Sequence, residues 1–100
     1  MSAKIPIPRE KIAEFCGRWK ITELALFGSV LRDDFRPDSD VDVLVTFAQE
    51  AQWSLFDLVG MQEELKAMFG REVDLVERKG LRNPFRRHEI LSTKQVVYAA

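Results

Sequence analysis

Cysteine, histidine and tyrosine each occur once in this chain of 100 residues, and glycine only 5 times. A lone Cys16 excludes an internal disulfide framework, which points to a reducing compartment. Its place beside Phe15 in a helical pattern suits a buried, inert thiol. His88 has no cysteine or second histidine at ligand spacing, so a zinc site is not expected. An excess of one charge is missing too: 15 Lys and Arg face 16 Asp and Glu, a formal net charge of -1. Bulk charge therefore gives no argument for a polyanionic partner. No apolar run is long enough to cross a bilayer, and the N-terminal "MSAKIPIPREK" carries no signal-peptide core, so a cytoplasmic protein without membrane contact is expected. Repeats, low-complexity tracts and an internal linker are absent, and residues 1–100 are expected to form one domain.

What is present is ordinary globular material, 46% hydrophobic and 31% charged. "IPIP" at Ile5 to Pro8 is extended, because each proline biases the residue before it away from helix. Pro8 suits a helix start, and Ile12, Phe15, Cys16 and Trp19 recur at helical spacing. "ITELALFG" reads as a buried strand ending at Gly28, "SVLRDDF" as a short turn or helix, and "DVDVLVTF" as the clearest strand. Ser54 to Phe69 is the clearest helix: Ser54 and Asp57 form a capping pattern, and Gly70 closes the end. Its stripe of Leu55, Leu58, Val59, Leu65, Met68 and Phe69 is expected to pack into the core, and core packing is at least as good a place as the surface for Trp53 and Phe56. "EVDLVER" is a third strand, Asn83-Pro84 opens a last helix, and "KQVVYAA" is a short final strand. The alternation predicts an α/β (α+β) fold, a mixed sheet of about four strands with helices packed on it.

The chemistry-bearing residues are acids. Side chains alternate along a strand, so Asp40 and Asp42 share one face while Val41, Val43 and Val45 share the other. Two carboxylates this close repel, and a divalent cation such as magnesium reverses that repulsion. Asp74 lies in the apolar run "VDLV" and is expected to be buried; if its strand lies beside that of Asp42, the acids form a triad able to hold two metals. Gly28 lets a phosphate approach the backbone, and Ser29 opens a helical turn whose amides suit an anion. Taken singly, each half has a plainer explanation: surface acids at a strand end, and a glycine turn with a serine cap. Neither a Walker A loop nor a dinucleotide glycine motif is present.

Together, "FGSVLRDDFRPDSDVDVLV" resembles the G-S-x10-D-x-D signature of the DNA polymerase beta-like nucleotidyltransferase superfamily, with the ten residues Val30 to Ser39 as spacer. Within it the chain is similar to the minimal nucleotidyltransferases, the MNT antitoxins that pair with HEPN-domain toxins, over nearly its whole length. The resemblance implies a polymerase beta-like fold. It implies that Gly28 and Ser29 hold a nucleoside triphosphate, that Asp40 and Asp42 ligate two Mg2+ ions, and that Asp74 is a third metal-binding, catalytic carboxylate. The implied reaction is attack of a hydroxyl on the α-phosphate of ATP with loss of pyrophosphate, the hydroxyl belonging to a tyrosine of the toxin.

Arg32 stands where such proteins commonly carry arginine, which fits a phosphate contact; pairing with Asp33 or Asp34 fits equally. Many relatives read Ala-Arg-Gly where this chain has Leu31-Arg32-Asp33. Arg78, Lys79, Arg82, Arg86 and Arg87 make the region after the third strand basic; a solvated face is the common meaning, and triphosphate or an acidic partner is a second one. Nucleic acid fits poorly, because few aromatics interleave. Two other readings stand beside the enzyme: a docking module that neutralises its partner without catalysis, and an aminoglycoside-type transferase, for whose extra helical domain there is no room. The short chain suggests that a partner or a second copy completes the site.

Overall fold

The computed structural model describes residue 3 and residues 5–100; the start of the N-terminal segment read above for a signal core (residues 1, 2 and 4) lies outside them. Helix α1 spans Arg9–Arg18 with Pro8 at its N-cap, one residue before the first helical position. Ile12, Phe15 and Cys16 form its buried stripe. Burial without a charged partner pushes the Cys16 thiol up to about 12, so it stays protonated and acts as a small apolar side chain. Lys20, at a φ of 56°, turns the chain into strand β1, Ile21–Phe27. A 3-10 turn, Gly28–Leu31, and a loop lead to β2, Val41–Phe47.

Helix α2, Leu55–Phe69, starts in a complete capping box: the Ser54 hydroxyl accepts from the Asp57 amide at 3.2 Å, and the Ser54 amide donates to the Asp57 carboxylate at 2.9 Å. Gly70 ends it in the left-handed conformation, as its lack of a Cβ permits. Strand β3 is Val73–Glu77, and a 3-10 turn at Arg78–Gly80 precedes α3, Pro84–Thr93. The Asn83 side chain caps α3 by accepting from the amides of Phe85 and Arg86. Strand β4, Gln95–Ala99, completes the sheet.

The four strands lie in the order β3-β2-β1-β4, a mixed sheet as expected. β1 is antiparallel to both β2 and β4, while β2 and β3 run parallel across the α2 crossover. One face packs Leu24, Leu26, Val41, Val43, Val45, Val73 and Val97 against Ile12, Phe15, Met61 and Leu65 of α1 and α2. The other carries a smaller cluster, Ala25, Phe27 and Leu44, covered by Leu81 and Ile90. The helices of the first face are tied together at Glu64, whose carboxylate accepts from the Arg18 guanidinium and the Trp19 indole. Trp53 donates to the Trp19 carbonyl at 3.0 Å and sets its ring edgewise on that of Trp19.

The α2 stripe differs from the expectation. Met61 and Leu65 are the buried pair, with Leu58, Met68 and Phe69 partly covered, whereas Leu55, Phe56 and Val59 are 79%, 89% and 61% exposed. Leu55 and Val59 border a depression shared with Leu75 and Glu77 of β3, which leaves them open to solvent. Among the described residues no helix is long and apolar enough to cross a membrane.

Candidate functional site

Everything in the site follows from two register facts. Antiparallel pairing sets Phe27 of β1 opposite Asp42 of β2, and parallel pairing sets Asp42 beside Asp74 of β3. The chain leaves β1 directly into Gly28, so Gly28 also arrives next to Asp42. It sits there with φ +75, and a Cβ added to it would collide with Asp42 Oδ2 and stand 3.3 Å from Asp42 Cγ. Glycine is therefore required twice, by its backbone conformation and by the carboxylate pressed against it.

Asp40 immediately precedes β2 and Asp42 is its second residue. The valines between and after them are buried on the other face, so the alternation expected from "DVDVLV" holds. Asp42 is half-buried, and its carboxyl is raised above the ordinary carboxylate range, first by burial, then by the negative charges of Asp74 and Asp40. The cations of Arg86 and Arg32 oppose that rise. The three acids and two arginines thus form one electrostatic neighbourhood, with Asp42 at its centre.

Asp74 corrects one expectation: it is exposed, not buried. β3 is an edge strand, and no helix covers its second face at that point, so the apolar neighbours Val73 and Leu75 turn toward the core while Asp74 faces out. Among the described residues no three Asp, Glu, His or Cys side chains converge tightly enough to hold a metal ion. Asp42 and Asp74 are neighbours on adjacent strands, and Asp40 and Asp74 are exposed to water. Their chemistry still fits a hard divalent cation: the donors are oxygens only, and two of them, Asp42 and Asp74, sit side by side by register.

A cavity of about 430 Å³ opens between the Gly28–Leu31 turn and α3. Phe27, Leu31 and Ile90 give it an apolar floor; Gly28, Ser29, Arg32 and Asp42 form one rim. The opposite wall is one face of α3, with Arg86, Glu89 and Thr93. That volume lies within the usual range for small-molecule sites. Of the three acids only Asp42 lines it; Asp40 and Asp74 are exposed and do not.

The turn at Gly28–Leu31 spans four residues of 3-10 helix, so whatever Ser29 offers an anion comes from its own hydroxyl and the local amides rather than from a summed helix dipole. Arg32 points its Nε at Asp34 Oδ1, 3.3 Å away, an exposed pair that realises one of its two expected roles while leaving it on the cavity rim. Arg86 is the residue that sequence reasoning did not single out from its basic neighbours. The signal was available: Arg86, Glu89, Ile90 and Thr93 fall at helical spacing after the Asn83 cap, and an apolar residue at Ile90 turns that face toward the sheet. Arg87 lies on another side, near Thr46, Phe47 and Glu77, and His88 is exposed.

The nucleotidyltransferase domain family matches residues 9–97. The protein adenylyltransferase MntA of Thermococcus cleftensis is 38% identical over 66 residues, which are 66% of this chain and 65% of that protein. A solved structure of a candidate minimal nucleotidyltransferase superposes with a TM-score of 0.71 at 33% identity, covering 87% of this chain and 86% of the other. The structure of a tri-AMPylated Shewanella oneidensis HEPN toxin in complex with an MNT antitoxin contains a chain that shares the fold, with a TM-score of 0.66 at 18% identity, over 92% of this chain and 70% of that one.

Proposed function

The chain belongs to the nucleotidyltransferase domain family, and from that premise we propose that it transfers AMP from ATP to a hydroxyl of a partner protein, a tyrosine of a cognate HEPN toxin, and thereby neutralises it. The observation that carries this reading is the division of the site. The cavity between Gly28 and α3 has room for a nucleotide, while Asp74 lies outside it, exposed at the sheet edge beside Asp42. An acceptor hydroxyl on another protein's surface can reach such a carboxylate without entering the cavity. The relatives named above point the same way, one as a protein adenylyltransferase and one as an antitoxin bound to an AMPylated toxin.

In this scheme the backbone at Gly28 admits the phosphates, and the Ser29 hydroxyl donates to a phosphate oxygen. Asp40, Asp42 and Asp74 would hold Mg2+, which when bound neutralises charge on the attacking and leaving oxygens. Asp74 takes the proton of the acceptor hydroxyl as its oxygen attacks the α-phosphorus. The bond from that phosphorus to the bridging oxygen breaks, and pyrophosphate leaves with the electron pair. Apolar packing at Phe27, Leu31 and Ile90 keeps water away from one side of the nucleotide.

The test is incubation with Mg2+, α-labelled ATP and the protein encoded next to this one, followed by detection of label on that protein. Transfer is expected from the parent and is lost by at least about a hundredfold in Asp42→Asn, a larger effect than loss of an outer-shell metal partner. Absence of transfer with every nucleotide and metal overturns the enzymatic reading. Full neutralisation of the partner by the Asp40→Asn, Asp42→Asn double variant favours a docking module instead.

A further inference from the structure

The three polar residues of the α3 wall differ in charge along the helix. Arg86 comes first, Glu89 follows about 4.5 Å further along the axis, and Thr93 about 6 Å beyond that. Buried Ile90 fixes the phase of the helix, so these side chains, though exposed to solvent, line the cavity. A triphosphate carries several negative charges and cannot lie against the Glu89 carboxylate without strong repulsion. Its tail must therefore occupy the Arg86 end of the wall, leaving the Glu89 and Thr93 end to the nucleoside, which brings hydrogen-bond donors and no charge. The two arginines on the cavity are not equivalent. Arg32 is engaged with Asp34, whereas the Arg86 guanidinium makes no hydrogen bond or ion pair within 4.0 Å to another described residue. A guanidinium kept at a cavity wall is matched in geometry to phosphate oxygens.

We propose that Arg86 binds the β- and γ-phosphates of the nucleoside triphosphate from α3, across the cavity from Gly28 and Ser29. This rests on the nucleotidyl-transfer reading and adds to it a residue that holds the pyrophosphate leaving group. Of the five cations after β3, this role falls to Arg86 alone. Arg87 borders a different depression, and Arg82 is exposed before the helix begins.

The experiment compares binding of AMP-PNP, ADP and AMP, each with Mg2+, to the parent, Arg86→Ala, Arg86→Lys and Arg87→Ala by calorimetry. Loss of one charged contact is expected to weaken AMP-PNP about tenfold to a hundredfold in Arg86→Ala. AMP binding stays as in the parent, Arg86→Lys recovers part of the loss, and Arg87→Ala binds all three normally. A merely structural role would weaken AMP as much as AMP-PNP, and that result overturns the proposal. AMP-PNP binding by Arg86→Ala equal to that of the parent also overturns it, while leaving nucleotidyl transfer standing. Failure of the parent to bind any of the three overturns both. Arg86 is exposed, so its variants are expected to melt with the parent.

Discussion

The two faces of the sheet are built from the same strands and do opposite work. On one, Leu24 and Leu26 of β1 meet Val41, Val43 and Val45 of β2 beneath two helices. On the other, Ala25, Phe27 and Leu44 form a small cluster under α3, and the next position along β2 is Asp42. A single alternation therefore separates the packed core from the candidate site. The closed face can be apolar throughout because α1 and α2 cover it. The second face is roofed only where Ile90 and Leu81 reach, and the carboxylates occupy the part left open. Putting acids on strands whose other side is fully packed gives them a rigid base, which a loop would not supply.

The sharpest test of that division is Leu24→Ala. Leu24 is fully buried in the central strand, on the closed face. Truncation there is expected to cost about 2–5 kcal/mol in urea unfolding. The folded protein should still bind nucleotide as the parent does, since nothing on the cavity side has changed. A loss of nucleotide affinity larger than the fraction unfolded would show that the faces are not independent.

Asp42→Asn probes the other face and is expected to move stability the opposite way. Burial, Asp74 and Asp40 raise the folded-state pKa of Asp42 above the ordinary 3.8. The unfolded chain therefore releases this proton at lower pH than the folded one. As pH climbs from that value through the folded one, the parent loses stability. Asparagine carries no such charge. In the absence of divalent cation, Asp42→Asn should melt above the parent at pH 7, and the gap should close as both are taken below about pH 4. A parent that gains on the variant with rising pH would mean that Arg86 and Arg32 outweigh burial at this carboxylate.

The same alternation explains what was legible in the sequence. The capping box at Ser54, the Gly70 stop, the Asn83-Pro84 start and the alternation of Asp42 with the buried valines depend on neighbours within a few residues, and each is found as expected. The adjacency of Asp42 and Asp74 was legible only as a condition, because strand order is a tertiary fact. The exposure of Asp74 was hidden for a related reason. "VDLV" reads as a buried strand, yet β3 is an edge whose second face is unroofed at Asp74, and no local pattern reports a missing roof. Arg86 was lost among neighbouring cations because helix phase separates it from Arg87 and composition does not.

The smallest expected effect belongs to Phe56, where the sequence suggested core at least as readily as surface. Phe56 lies about 140° around α2 from Met61, and Met61 is fully buried while Phe56 is 89% exposed. A ring in water on both sides contributes little to folding, so Phe56→Ser should shift unfolding free energy by no more than about 0.5 kcal/mol. The capping box beside it, made by Ser54 and Asp57, does not use the ring. A loss above about 1 kcal/mol, well beyond the range for an exposed substitution, would mean that α2 is rotated to place Phe56 against the sheet. Met61 would then have to leave the core, and the closed face would lose the packing on which its contrast with the open one depends.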